Sequence, residues 1–122
     1  MAIQKFEDII AWQKAQDLAV EVYSLFRELK DFGFRDQICR TTVSISNNIA
    51  EGFDRSSDAD FARFLYISTA SCSEVRSMIY LAERLNYITI EKRDDEKSIC
   101  TIIISRFICP SIGHRSSIIS YV

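Results

Sequence analysis

Apolar residues recur at intervals of three and four along four stretches of the chain, and this spacing predicts amphipathic helices. The predicted helices span residues 8–29, 35–53, 58–85 and 90–108. Helix-breaking residues are scarce, because the chain has only 3 Gly and 1 Pro. Short connections make successive helices neighbours. The pattern therefore predicts an all-α fold, an antiparallel up-down four-helix bundle, with residues 1–122 as a single domain and a tail at 111–122 without clear periodicity.

Local sequence signals mark several helix ends. Asp8 is the predicted N-cap of the first helix, and Gly33 lies in a predicted turn. Ser57 is the predicted cap of the third helix, and Asn86 is predicted to end it. The fourth helix is predicted to start after Thr89. Its second half, ICTIIISRFIC, is β-branched and would also suit a strand, but a lone strand would have no partner, so we prefer a helix.

The third predicted helix carries more apolar surface than a helix of a monomeric bundle needs. Two lines of apolar and small residues at helical spacing cover more than half of its circumference. The excess either covers the fourth helix or forms a contact between subunits. The two lines are Phe61, Leu65, Ser68, Cys72, Val75, Ile79 and Ala82, and Phe64, Ile67, Ser71, Met78, Leu81 and Leu85.

Composition is typical of a soluble globular protein, with 48% apolar and 26% charged residues. The formal net charge of −2 argues against broad nonspecific DNA binding, although a local basic patch is compatible with it. The start, MAIQKFEDII, lacks the features of a secretory leader, and the Ile-rich run at 99–109 is too short to span a bilayer. We therefore expect a cytoplasmic protein with no membrane partner. Four scattered cysteines form no C-x-x-C pair and are expected to be reduced thiols, namely Cys39, Cys72, Cys100 and Cys109.

The sequence carries no motif for catalysis or cofactor binding. Its single histidine, His114, lies in the tail, and no Glu-x-x-His pair for a di-iron site exists. A Gly-rich phosphate loop and a nucleophile motif are also missing. The sequence therefore predicts a protein that is not an enzyme and has no cofactor, no metal and no small-molecule substrate.

The segment QICRTTVSISNNIAEGFDR forms a predicted helix with two unlike sides. Its polar side carries short groups that favour helix poorly, so we expect that side to pack closely against a neighbour. Two interpretations are open. In the preferred, structural one, Glu51 pairs with Arg55, and Asn47 and Asn48 satisfy polar groups at a bend or an interface. In the other, Arg40 and Arg55 contact phosphate or an acidic partner.

Arginines near the second helix and the start of the third are the candidate contacts for a nucleic acid or another partner. A ring of subunits would repeat them into a basic band whose phosphate contacts add. Ion pairs with nearby aspartates are the competing interpretation, which we slightly prefer. Tyr66 and Tyr80, on the polar side of the third helix, are candidates for base stacking. The candidate arginines are Arg35, Arg40, Arg55 and Arg63.

Several segments resemble a bacterial family of four-helix-bundle proteins. They are FEDIIAWQKAQDLAVEVY at 6–23, FGFRDQICRTTVSISNNIAEGFDR at 32–55, and FARFLYISTASCSEV with LAERLNYI up to residue 88. The pattern V-S-I-x-x-N-I-A-E-G-x-x-R, from Val43 to Arg55, is the most specific. The resemblance is to the proteins encoded by intervening sequences of bacterial 23S rRNA genes, the S23 ribosomal-type family. The sequence after residue 88 departs from the family's usual last helix.

The resemblance implies an assembly and a role. Family members form ring-like homopentamers, which agrees with the wide apolar surface predicted for the third helix. The family is also similar to accessory proteins of diversity-generating retroelements, which work beside a reverse transcriptase and nucleic acid. We therefore expect a non-enzymatic oligomeric bundle that binds RNA or a ribonucleoprotein partner. The alternative is a protein-interaction scaffold with no nucleic-acid affinity.

Overall fold

Four helices make up most of the protein in a computed structural model, which describes residues 4–108 and the side chains of residues 4–105. They are α1 (Ile10–Leu25), α2 (Phe32–Phe53), α3 (Asp58–Arg84) and α4 (Ile90–Ile102). A 3-10 turn, Phe6–Asp8, precedes α1, and a π-helical segment, Ile103–Ile108, continues α4. No strand occurs in residues 4–108, so the predicted all-α fold is confirmed. The predicted tail at 111–122 lies outside the described residues, and the single domain of residues 1–122 stays a prediction.

Successive helices pack side by side. α2 packs against both α1 and α3, α4 packs against α3, and the π-helical segment closes against α1 and α3. The turn before α2 meets the turn after α3, since the Tyr87 hydroxyl donates to Asp31 Oδ2 at 2.6 Å. Phe34 packs edge-on against both Phe26 and Tyr87 at this end of the bundle. The two turns therefore lie at one end, as an up-down arrangement requires.

The core is an apolar layer shared by the four helices. Burying a large aliphatic or aromatic side chain of this kind contributes roughly 1.5–3 kcal/mol to the free energy of unfolding. Its largest fully buried apolar residues are Ile9, Leu18, Phe26, Ile38, Ile45, Ile49, Phe61, Leu65, Ile79 and Ile103.

Capping side chains fix three helix starts. Ser57 Oγ accepts from the Asp60 amide at 3.1 Å, and Thr89 Oγ1 accepts from the Lys92 amide at 3.1 Å. Both predicted starts are thus present. α2 begins at Phe32, three residues before the predicted start, because Asp31 Oδ1 accepts from the Phe34 amide at 3.1 Å and caps the helix there.

The end of α3 also follows the sequence signal. Asn86 adopts a left-handed conformation with φ 61°. The Tyr87 amide donates to the Ala82 carbonyl at 2.8 Å, and the Asn86 amide donates to the Glu83 carbonyl at 2.9 Å. This pair of bonds satisfies the last carbonyls of the helix and stops it.

α1 and α4 differ from their predicted extents. Asp8 lies in the 3-10 turn and makes no cap bond, because the fully buried Ile9 occupies the N-cap position instead. The other end of α1 stops at Leu25, where the chain turns Phe26 into the core. The fourth segment is helical, as predicted. Its β-branched half widens into a π-helix from Ile103, a rare helical geometry.

Small residues let α2 and α3 approach closely. A Cβ added at Gly52 would lie 2.5 Å from Phe64 Cβ, so no larger residue fits there without movement. Ser68 Oγ donates to the Ile45 carbonyl at 2.9 Å across the same interface. On the polar side of α2, Ser44 Oγ lies 2.8 Å from Ser71 Oγ, so α3 accounts for part of the close packing expected there.

Candidate functional site

An open groove of about 710 Å³ runs along the outer side of α2 beside α1. Three of the candidate residues, Arg35, Arg40 and Asn47, line it. Two further lining residues, Tyr23 near the end of α1 and Arg27 in the turn after it, were not predicted from the sequence. Their role becomes apparent only when this end of α1 is placed beside α2.

The groove has more positive than negative charge. Arg27, Arg35 and Arg40 line it together with a single acid, Asp36. Arg35 is held in place, since its Nε lies 3.7 Å from Asp36 Oδ1 and its guanidinium lies 4.7 Å from the Phe32 ring centroid. Arg27 and Arg40 form no ion pair with any side chain of residues 4–105. Two positive charges in the groove are therefore available to a ligand.

The floor of the groove does not support nucleophilic chemistry. Cys39 lies there almost fully buried, beside the half-buried Val43. Burial raises the pKa of the Cys39 thiol, Arg35 lowers it, and Asp36 raises it. Because a thiolate is the reactive form, a raised pKa keeps this thiol protonated and unreactive.

The two asparagines of the predicted polar network lie in different surroundings. Asn48 Nδ2 donates to the Ser44 carbonyl at 2.7 Å and to Ser44 Oγ at 3.1 Å. Ser44 Oγ in turn lies 2.8 Å from Ser71 Oγ of α3. Asn47 is exposed on the groove wall, and its side chain makes no hydrogen bond within the part of the chain that the structure describes. Asn48 is thus a structural residue, whereas Asn47 is open to a ligand.

Arg55 and Arg63 lie away from the groove, around Phe64. Arg55 Nη2 lies 2.9 Å from Glu51 Oε1, and Arg63 Nη2 lies 3.7 Å from Asp60 Oδ1. The two guanidiniums lie 5.0 Å and 4.9 Å from the Phe64 ring centroid. The four candidate arginines therefore divide into two pairs, and both members of this pair already have an acidic partner.

α4 buries a charged residue of the run EKRDDEK, residues 91–97. Glu96 is 1% exposed, and its Oε2 has no hydrogen-bond partner among the described residues. Burial raises the pKa of Glu96 to about 7, with a further rise from Glu21 and an opposing effect of Lys92. Its spacing from the buried Cys100 and Ile103 marks the inner face of α4, a signal hidden by the charged neighbours.

The outer face of α3 remains partly uncovered. Ile67, Leu81 and Leu85 are 40%, 46% and 43% exposed, whereas Phe64 and Met78 of the same predicted line are buried. The excess apolar surface that the sequence indicated is therefore only partly covered within the described residues. Tyr66 and Tyr80, the candidate stacking residues, are exposed on α3.

The described residues carry neither a metal-binding cluster nor a membrane-spanning helix. No three His, Cys, Asp or Glu side chains of this region are placed to hold a metal ion. None of its helices is long and apolar enough to cross a membrane. Cys39 and Cys100 are free buried thiols, Cys72 is also buried, and Cys109 lies outside the described residues.

Comparisons with known proteins agree with the architecture. The profile of the family described as 23S rRNA-intervening sequence protein matches residues 7–108, beyond the point where the sequence had been expected to depart from the family. A crystal structure at 1.70 Å from Bacteroides thetaiotaomicron VPI-5482, of a protein with unknown function from the S23 ribosomal protein family, is similar with a TM-score of 0.72. The two chains are 31% identical over 77% of this chain and 91% of that chain. The chain matches no curated protein. The chain belongs to the 23S rRNA-intervening sequence protein family.

Proposed function

We propose that this protein is a non-enzymatic helical bundle that associates with copies of itself and binds RNA through the groove between α1 and α2. The observation that carries the proposal is the pair Arg27 and Arg40, which line the groove without an ion-pair partner among the described side chains. Arginine donates in a fork that matches phosphate oxygens, and it is the preferred residue for this contact.

The division of the arginines supports the choice of groove. Arg55 and Arg63 would have to leave Glu51 and Asp60 before they could contact phosphate. Arg27 and Arg40 need no such exchange. The exposed Tyr23 and Asn47 add an aromatic ring and an amide to the same groove, which are groups that contact bases and sugars.

Self-association supports RNA binding by repeating the groove. The exposed Ile67, Leu81 and Leu85 offer an apolar surface for contact with another copy. The family resemblance favours a ring of five subunits. Linked grooves on one assembly bind a single RNA with an affinity well above that of one groove. This repetition also reconciles RNA binding with a formal net charge of −2, since only the groove face must be basic.

Fluorescence anisotropy with a labelled single-stranded RNA tests the proposal. We expect the intact protein to bind at low salt and to lose affinity steeply as salt rises. The double variant Arg27→Ala and Arg40→Ala should lose most of this binding, whereas the control Arg63→Ala, with its Asp60 partner outside the groove, should keep it. Absence of binding by the wild-type assembly at low salt, or equal binding by the double variant, would refute the proposal.

A protein-interaction scaffold is the second candidate. The negative net charge and the exposed apolar face of α3 favour it. In that case light scattering would show a stable assembly, and the double substitution Leu81→Ser and Leu85→Ser would dissociate it. The wild-type assembly would bind no RNA at any salt concentration. If the protein stayed monomeric at every concentration, the self-association that both candidate functions assume would be contradicted.

A further inference from the structure

A second groove, of about 600 Å³, lies between α3 and α4 and shares no residue with the groove of the proposed function. Its lining combines two cations, an aromatic ring and two hydroxyls: Arg76, Tyr80, Lys97, Ser98 and Thr101, with Ile102 at one edge. This mixture of groups differs from the plain charged surface expected on the outside of a helical bundle.

Four of these side chains form a regular arrangement. Arg76 and Tyr80 are four residues apart on α3, and Lys97 and Thr101 are four residues apart on α4, so each pair shares a helix face with about 5–6 Å between Cβ atoms. Because the helices run in opposite directions, Arg76 meets Thr101, with Nη1 3.4 Å from Oγ1, and Tyr80 meets Lys97. The two cations therefore occupy opposite corners, with hydroxyl groups between them.

The cations of this groove are not neutralised by acids. Arg93, just outside it, lies 3.8 Å from Glu83 and 3.1 Å from Asp94. Arg76 and Lys97 have no ion pair in residues 4–105. Two such charges beside hydroxyl groups are the contacts that proteins use for phosphate oxygens.

Hydroxyl orientation leaves one donor for a ligand. Thr101 Oγ1 donates to the Lys97 carbonyl at 3.0 Å and therefore serves Arg76 as an acceptor. Ser98 is exposed and makes no side-chain hydrogen bond among the described residues. Its hydroxyl can donate to an oxyanion held between Arg76 and Lys97.

The aromatic ring completes the site. Tyr80 is 41% exposed, and Lys97 Nζ and the Arg93 guanidinium lie 5.4 Å and 5.5 Å from its ring centroid. Both cations come from α4 and hold the ring in position, so its exposed part offers a fixed surface to another flat group. Aromatic side chains next to cations stack nucleobases without regard to sequence.

We propose that the α3–α4 groove binds one nucleotide unit, with its phosphate between Arg76 and Lys97 and its base against Tyr80. The same chemistry is offered by a free mononucleotide and by one unit of a single strand. The site uses no residue of the α1–α2 groove, so this proposal does not depend on the arginines proposed to bind RNA there.

NMR titration of the full chain with AMP, with inorganic phosphate and with a short single-stranded oligoadenylate tests the site. Tyr80→Leu should weaken AMP binding about fivefold or more, since stacking on an aromatic side chain contributes that much per base, and should leave phosphate binding unchanged. Lys97→Met should weaken the binding of both AMP and inorganic phosphate. Tyr66→Leu, an exposed tyrosine of the same helix, and Lys14→Met of α1 are the matched controls and should bind like the wild type.

The outcomes separate the ligand sources and the two grooves. AMP binding with these sensitivities supports a free nucleotide as a ligand, and binding of the oligoadenylate alone, with the same sensitivities, supports a strand. The proposal would be overturned if neither AMP nor the oligoadenylate bound, or if Tyr80→Leu and Lys97→Met left their binding unchanged. The Arg27→Ala and Arg40→Ala double variant should bind AMP like the wild type. AMP binding lost in that variant and kept in Tyr80→Leu would place the nucleotide in the other groove.

Discussion

The two polar sides of α2 differ in how their groups are satisfied. Towards α3, Ser44 and Asn48 bond to each other, and Ser44 also meets Ser71. Towards the α1–α2 groove, Arg40 and Asn47 have no hydrogen-bond or ion-pair partner among the described side chains. One helix thus carries a closed polar interface on one side and an open one on the other.

This difference separates structural from binding residues better than residue type does. A bonded polar group in a packed interface stabilises the fold, because its loss would leave a buried partner unsatisfied. An exposed arginine without a partner contributes little to stability and remains free to bind. The α3-facing side should therefore respond to substitution in stability, and the groove-facing side in ligand binding.

The largest expected effect is at Gly52, on the closed side. Gly52→Ala would place a Cβ 2.5 Å from Phe64 Cβ, so α2 and α3 must separate, at a cost of roughly 1–3 kcal/mol or more. Gly33→Ala is the matched control, since its nearest atom, Asp31 Oδ1, is 3.8 Å away, and this helix position should tolerate or prefer alanine. Urea denaturation measures both. Equal stability of the two variants would show that the close helix approach is not required.

The next effect concerns Glu96, which is buried but, unlike the polar groups at the α2–α3 interface, has a carboxylate oxygen without a hydrogen-bond partner among the described residues. The folded-state pKa of about 7 lies above the ordinary value of 4.5, so the folded state binds the proton more tightly. Stability is therefore fully present below pH 4.5 and falls as the pH rises towards 7. Glu96→Gln should remove this fall and be more stable than the wild type at pH 8 by roughly 1–3 kcal/mol.

Thermal or urea unfolding tests this expectation when it is measured from pH 4.5, the ordinary pKa, to above the folded-state pKa of about 7. Glu91→Gln, at an exposed position of α4, is the control and should keep the wild-type pH dependence. A Glu96→Gln variant with the wild-type slope would contradict the burial of an ionisable carboxyl at this position.

A smaller effect is expected at the end of the bundle, where Asp31 joins two turns. The hydrogen bonds from the Tyr87 hydroxyl and then from the Phe34 amide lower the pKa of Asp31 below its ordinary value of 3.8. The stability that this ionised carboxylate contributes is present above pH 3.8 and is lost as the pH falls through the lower folded-state pKa. Tyr87→Phe should therefore unfold at a higher pH than the wild type in an acid titration followed by circular dichroism. Coincident titrations would show that the bond contributes nothing.

The sequence specified features that depend on neighbours along the chain. Ser57, Thr89 and Asn86 act through amides and carbonyls within a few residues of them, so their roles could be predicted. The start of α2 was displaced because Gly33 suggested a turn, although Asp31 before it was a suitable cap. Local signals were therefore correct at these three positions, whereas Asp8 does not cap α1, because Ile9 occupies the N-cap position.

The candidate site depended on contacts that spacing along one helix does not reveal. Arg27 becomes part of a groove only because the turn after α1 lies beside α2. Asn47 and Asn48 are adjacent in sequence, yet only Asn48 turns towards Ser44. Glu96 stands between acidic and basic neighbours in the sequence and was not predicted to be buried, whereas the packing of α4 buries it. Tertiary packing, rather than residue type, decided each of these outcomes.

The most direct test of the central claim is the salt dependence of RNA affinity for the wild type and for the Arg27→Ala and Arg40→Ala double variant. On a single strand, each arginine that contacts phosphate contributes about 0.7 to the slope of log affinity against log salt. If both arginines do so, the slope of the double variant should be shallower by roughly 1.4 per engaged protomer. Its stability in urea should match that of the wild type. Identical slopes for the two proteins, or no RNA binding by the wild type at low salt, would contradict the assignment of the open side of α2 to RNA.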